Sequence, residues 1–414
     1  MTNLLYIDPG TGSMLFSILI GATATIYFLA RAAVLKIKFF FSGRKGEADV
    51  SSHTVVIYNE DKRYWDVFKP VLDAFENHKT EVTYFTSAKD DGVFSADYKF
   101  VKSSYIGEGN AAFAKLNLLS ADVLLMTTPG LNVYQLKRSK NVRHYSHIEH
   151  SAGDATMYRL FGIDYFDSIL VAGAWQEKDI RFLEEQRGTQ KKEVVSVGLT
   201  YLDVFAEKLA KIPAEENHKF TVLLSPSWGA SGILSKYGER LLTPLLETGW
   251  NIIVRPHPQS KISEKEMLDS LAQKYSGKKN LIWDYERENI YSLKKADIMI
   301  SDFSGIIYDY TFLCDKPVMF VNAQMDLMPY DAYDVPHAPW QLSAVRDFGI
   351  ELKEEQFADI KNVIEKASDS RELAEKRRQA KEFAWEHQGE SGEKVYEYLT
   401  EKQKSLHVED KKQA

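Results

Sequence analysis

The chain has 414 residues, 44% of them hydrophobic, with 59 acidic against 52 basic side chains and a formal net charge of −7. That length and apolar content allow two domains with real cores and exclude a disordered scaffold; an acidic balance without long basic runs argues against a nucleic-acid binder, although a local basic site for a phosphorylated ligand stays open. A single cysteine, Cys314, excludes an intramolecular disulfide and fits a reducing compartment.

The first element is an uncharged run, "SMLFSILIGATATIYFLA" (13–30), just long enough to span a bilayer. Arg31, Lys36, Lys38, Arg44 and Lys45 follow it, whereas Asp8 precedes it without any lysine or arginine. By the positive-inside rule this predicts a single-pass anchor with the remaining chain in the cytoplasm. A cleaved signal peptide is disfavoured because a positive n-region is missing and apolar sequence continues past Ala22-Thr23-Ala24. A buried core helix or an in-plane interfacial helix is the plainer alternative. "IDPGTGS" (7–13) has glycines spaced like a phosphate loop but follows no strand, so a turn with Ser13 capping the next helix is expected.

After the linker "FSGRKGEADVSS", short apolar runs alternate with amphipathic stretches, which is the α/β pattern. Strands are predicted at 54–59, 81–86, 121–128, 141–148, 167–173 and 193–199, with helical stretches at 62–77, 110–119 and 174–187. Residues 200–219, containing Pro213 and the charged "AEENHK", read as a link. A second set of strands follows at 220–229, 251–259, 280–285, 296–305 and 317–323, and the stretch from about Lys353 to Lys404 should be helical. The predicted organisation is therefore an anchor and basic linker (1–45), two Rossmann-like domains (50–212 and 213–345) facing a shared cleft, and a C-terminal helical segment (346–414).

Four stretches could carry chemistry. "VRHYSHIEHSAGD" (142–154) spaces three histidines by three, and on a strand His144 and His150 share a face while His147 points away. Three converging metal ligands are therefore not expected, and His150, at the strand-to-loop edge, becomes the candidate acid–base group. "RPHP" (255–258) holds His257 between two prolines on a stiff loop, with Arg255 offering a fixed positive charge to phosphate. "ISDFSGIIYDY" (300–310) runs from a strand into a helix, so Ser301, Ser304 and the amides around Gly305 suit an anion. Asp302 in that stretch should cap the helix or accept from ligand hydroxyls. "LLSPSWGASG" (223–232), with Ser225 and Ser227, is a weaker transition of the same kind. Trp228, Tyr308 and Tyr310 read as packing residues.

"RPHP" followed by "ISDFSGIIYDYTFLCDKPVMF" resembles the CDP-glycerol glycerophosphotransferase family, which builds and primes teichoic-acid-type polymers; the likeness covers roughly residues 140–325 and is strongest at 296–320. The resemblance implies a GT-B fold, with His150 and His257 as the family's two histidines and Ser301, Asp302 and Ser304 along the donor phosphates. Two motifs depart from the family pattern. His150-Ser151-Ala152-Gly153-Asp154 stands where His-Gly-Thr-Pro is usual, and Thr200-Tyr201-Leu202-Asp203 stands where Pro-Arg precedes an aspartate. The expected protein is a membrane-anchored transferase that moves a glycerophosphate-type group from a CDP-activated donor, CDP-glycerol by resemblance, to a lipid-linked glycan or polyol-phosphate acceptor. No cofactor and no metal-ligand cluster are expected, and dependence on a metal stays open. A nucleotide-sugar glycosyltransferase of the same fold and an inactive binder of lipid-linked precursors are the alternatives.

Overall fold

In the computed structural model, residues 23, 25–27, 53–213, 215–216, 218–368 and 370–413 are described. The expected span 13–30 lies almost wholly outside the described residues, as does the linker 41–52. Among the described residues no helix is long and apolar enough to cross a membrane.

Seven strands, β1 (His53–Asn59), β2 (Val82–Thr86), β3 (Val101–Tyr105), β4 (Ser120–Met126), β5 (Asn141–Ile148), β6 (Ser168–Val171) and β7 (Glu193–Ser196), form one sheet in the order 3-2-1-4-5-6-7. Six more, β8 (Thr221–Leu224), β9 (Asn251–Val254), β10 (Leu281–Trp283), β11 (Ile298–Ser301), β12 (Val318–Phe320) and β13 (Ile350–Glu351), form a second in the order 10-9-8-11-12-13. Every pairing is parallel. Helices cover both faces of such sheets, which is why β4, β8 and β11 carry the uninterrupted apolar runs 123–126, 222–224 and 298–300. Strand order reverses between β1 and β4 and between β8 and β11, and ligands of doubly wound sheets bind outside the strand carboxyl ends at such points.

The structure differs from the sequence expectations in three places. β3 and β13 were not anticipated: β3, "VKSSY", buries little beyond Val101, and β13 has two residues. The expected link at 200–219 is instead largely a helix, Thr200–Lys211, which buries Tyr201, Leu202, Val204 and Leu209 and stops before Pro213. Its apolar spacing wins over the charged run that follows it. The C-terminal segment is broken into helices Ile360–Ser368, Arg371–Ala384 and Ser391–Gln413. Asp203 accepts from the Gly389 and Ser391 amides at 2.7 and 3.1 Å, fixing the start of the last helix. That helix returns to the first sheet, where Val395 and Leu399 join Val55 and Phe75 in one core. The same core continues through Tyr201 and Leu202 to Leu223, Met299 and Tyr308, so the two sheets share apolar packing.

Candidate active site

The segments after β5 and β7 of the first sheet meet those after β8, β9, β10 and β11 of the second around a cleft of about 280 Å³. His150, Ser151, Ala152 and Tyr201 line one side. Ser225, Arg255 and His257, with Asn289, Ser304, Gly305 and Asp309, line the other.

His150 follows β5 by two residues, so its side chain leaves the sheet at the carboxyl edge. Its Nδ1 lies 2.7 Å from Thr127 Oγ1 and 3.3 Å from Tyr158 Oη, and the Tyr64 ring packs 4.7 Å from it. Burial, and then the Arg63 guanidinium, lower its pKa to about 4, so the ring is neutral at neutral pH. The other two histidines do not reach the cleft. His144 Nε2 meets Ser168 Oγ at 3.0 Å and Tyr398 Oη at 3.1 Å, while His147 is fully buried between the Tyr158 and Phe166 rings with neither nitrogen hydrogen-bonded. Among the described residues, no cluster of three or more His, Cys, Asp or Glu side chains is arranged to hold a metal.

His257 is oriented differently, by backbone. The Gln259 amide donates to its Nδ1 at 3.1 Å, so in the neutral ring the proton sits on Nε2, which becomes a donor. Burial lowers its pKa; Glu264 opposes this in part, and Arg63 adds a smaller lowering. Ser304 and Gly305 open the helix Ile306–Cys314; the Ile307 and Tyr308 amides turn back to the Ser304 and Gly305 carbonyls at 3.2 and 3.0 Å, and the amides before them precede the helical ladder.

The remaining expected residues fall behind this surface. Arg255 lines the cleft, but its guanidinium pairs with Asp284 at 2.6 Å and donates to the Glu286 and Arg287 carbonyls, so most of its donors hold the loop after β10. Ser301 is completely buried and donates to the Ser225 carbonyl at 2.6 Å. Asp302 accepts from the Ser227 and Ile233 amides at 3.0 Å, and burial raises its pKa; it caps the helix Ile233–Tyr237, not the helix that follows it. Ser225 reaches the cleft, whereas Ser227 is buried behind it. Asp302 and Ser304 also line a neighbouring cavity of about 910 Å³ in the second sheet's half, with Lys236, Asn322, Gln341 and Arg346.

Sequence reasoning missed Arg63, Thr127, Tyr158, Asn289 and Asp309 and did not explain the two departures from the family pattern. Both departures tie the halves together. Tyr201 Oη accepts from the Ala152 amide at 2.9 Å and donates to Asp309 at 2.7 Å, while Asp154 accepts from the Trp340 and Gln341 amides at 2.8 and 2.9 Å. The signal for Arg63 was a charged "NEDKR" directly after an apolar strand, at the edge where such sheets bind ligands.

Two doubly wound parallel sheets thus bring one histidine each to a common cleft at their strand carboxyl ends. The profile of the CDP-glycerol:poly(glycerophosphate) glycerophosphotransferase family matches residues 167–401, more than half of the chain, and the protein belongs to that family of transferases. No curated protein matches it in sequence. Among solved structures, the wall teichoic acid polymerase TagF is similar with a TM-score of 0.54 at 14% identity, over 85% of this chain and 89% of that one. A variant of TagF soaked with CDPG gives 0.57 at 14% identity over 94% and 98%. The UDP-GlcNAc 2-epimerase of Methanocaldococcus jannaschii, in complex with UDP-GlcNAc and UDP, gives 0.52 at 15% identity over 84% and 99%. At these identities the likeness establishes the fold.

Proposed function

We propose that the protein transfers glycerophosphate from CDP-glycerol to a hydroxyl of a lipid-linked or polyol-phosphate acceptor in teichoic-acid-type polymer synthesis. The observation that carries this reading is the placement of His150 and His257, from opposite sheets, on one cleft beside the helix start at Ser304–Gly305. In the tautomer with its proton on Nδ1, His150 donates to Thr127 Oγ1, 2.7 Å away, and Nε2 is left as the base. The acceptor hydroxyl attacks the phosphorus that bears glycerol, its proton passes to His150 Nε2, and the phosphoanhydride bond to CMP breaks. A pyrophosphate in the cleft favours the imidazolium and thus offsets the depression of the His150 pKa. The charge on departing CMP is met by His257 Nε2–H, Ser304 Oγ and the amides of the helix start. The adjoining 910 Å³ cavity, with Lys236 and Arg346, has room for the nucleotide. Residues 13–30 form a single-pass anchor with the catalytic part in the cytoplasm, a placement suited to a lipid-linked acceptor.

The decisive experiment incubates the purified chain with a lipid-linked acceptor and a panel of nucleotide donors, reading CMP release and product mass. A mass increment of one glycerophosphate is expected. A hexose increment from a nucleotide sugar would establish the glycosyltransferase alternative, and nucleotide binding without any product would establish the inactive binder. For topology, a reporter fused after Ala414 should be inaccessible from outside intact cells; labelling from outside would refute the cytoplasmic placement.

A further inference from the structure

Among the described residues, Asp309 is the one carboxylate lining a cleft whose Arg255, His257 and Ser304 suit an anion. It sits one turn into the helix Ile306–Cys314, four residues after Gly305 and so on the same face. One carboxylate oxygen accepts the Tyr201 hydroxyl at 2.7 Å, and the Asn289 side chain also bonds to the carboxylate. Asn289 lies at the start of the helix Ile290–Lys295, and its Oδ1 is buried with no hydrogen-bond partner. Burial raises the Asp309 pKa to about 6, so at neutral pH it is mainly an anion and solely an acceptor. A phosphate would be repelled by this pair. Hydroxyl groups would suit it, because one can donate to Asn289 Oδ1, which otherwise lacks a donor, and another can add to the bonds the Asp309 carboxylate already accepts.

We infer that Asp309 and Asn289 form the acceptor pair for the hydroxyl groups of a polyol phosphate, an assignment that rests on the transfer reaction proposed above and assigns specificity for a polyol to this wall of the cleft. Asp302, the carboxylate that sequence alone suggests for ligand hydroxyls, is unavailable, because both its oxygens accept backbone amides. Asp309 lines the cleft instead. Tyr201 links the pair to the turn after His150, since its hydroxyl accepts from Ala152 while donating to Asp309. The hydroxyls recognised belong either to the glycerol of the donor or to the terminal unit of the acceptor.

The test compares the purified full chain with Asp309→Asn and Asn289→Ser, using CDP-glycerol, a CDP-propanol ester lacking both glycerol hydroxyls, and CMP as calorimetric probes. Wild type should prefer CDP-glycerol over the propanol ester by about tenfold or more, as sites that bond a hydroxyl reject analogues lacking it. Asp309→Asn should bring that ratio to within about threefold while leaving CMP affinity unchanged. If the ratio persists but the KM for acceptor at saturating donor rises about tenfold, the hydroxyl belongs to the acceptor and the pair is still its site. Equal weakening of all three ligands, or an unchanged ratio with an unchanged acceptor KM in both variants, would reduce Asp309 to an anchor for Tyr201 and overturn the inference. Failure of the proposed reaction would be seen separately, as wild type binding neither CDP ester.

Discussion

The two cleft histidines come from sheets of the same strand order but are held by opposite means. His150 rests in a cup of side chains, with the hydroxyls of Thr127 and Tyr158 at Nδ1 and the Tyr64 ring against its face. His257 is held by main chain, between Pro256 and Pro258 and under the Gln259 amide. A side-chain cup that excludes water keeps an imidazole neutral and able to gain a proton. A backbone donor at Nδ1 commits the opposite nitrogen to giving a hydrogen bond. The difference separates a base from a charge stabiliser, which the shared residue type hides.

The largest effect should therefore come from His150. His150→Ala is expected to lower kcat by about 10²–10⁴-fold while CDP-glycerol affinity stays near wild type. Comparable losses in kcat and in donor affinity would place His150 in donor binding and collapse the contrast. On the other wall, His257→Ala and Ser304→Ala should each weaken donor binding, by roughly 10- to 150-fold for a hydrogen bond to a charged group of about 1.5–3 kcal/mol. Ser301→Ala is the internal control. Its hydroxyl is completely buried and donates to the Ser225 carbonyl, so the variant should lower Tm with little change in donor Kd, measured by calorimetry and thermal melting.

Residues at the cleft divide in the same way by how well the sequence reveals them. His150 and His257 were legible because each ends an apolar strand, and Ser304–Gly305 because small residues open a helix there. Ser301 and Asp302 sit in the same motif yet point inward, a matter of side-chain direction within one turn that a string of residues does not encode. Arg255 was legible as a cation, but its partner Asp284 lies 29 residues away on the adjacent strand's loop. Thr127 and Tyr158 carry no motif at all; they matter because β4 and β5 are neighbours in register, with Met126 opposite His147. Parallel sheets revealed themselves through buried apolar runs, whereas the exposed edge strand β3 offered none.

His147 sharpens the comparison from the side of stability, because it is fully buried where His150 faces the cleft, and neither of its nitrogens has a hydrogen-bond partner. Burial lowers its pKa to about 3 from an ordinary 6.5, so it stays neutral in the folded chain while the unfolded chain takes a proton below pH 6.5. Its folded pKa is depressed, so its contribution is complete above pH 6.5 and is lost as pH falls from 6.5 toward 3, at up to about 1.4 kcal/mol per pH unit. His147→Phe should keep wild-type turnover and should show a flatter fall in stability between pH 6.5 and 5 by urea unfolding. His144 and His150, lowered to about 4, contribute in the same direction in both proteins, and Glu149, raised to about 8, contributes oppositely in both. The difference between the two curves thus isolates His147. Parallel curves would mean that the ring is solvated or paired in the folded protein.

The smallest effect, and the one that tests the cup itself, concerns Thr127. Its hydroxyl is the shorter of the two contacts to His150 Nδ1, and replacing it with the nearly isosteric valine removes the oxygen while keeping the β-branched shape that suits the end of β4. If Nδ1–H donates to this oxygen, the loss frees the ring to adopt the other tautomer, in which the proton sits on Nε2 and no base faces the acceptor. Tyr158, at 3.3 Å, remains as a weaker partner and limits the damage. A net hydrogen bond of about 0.5–1.5 kcal/mol corresponds to a kcat reduced by about 2- to 10-fold in Thr127→Val, with the donor KM unchanged because the oxygen orients the base and touches no phosphate. Thr127→Ser retains the oxygen and should restore most of the rate. A raised donor KM with unchanged kcat would show that the hydroxyl serves binding, and the cup around His150 would then differ little in purpose from the backbone clamp on His257.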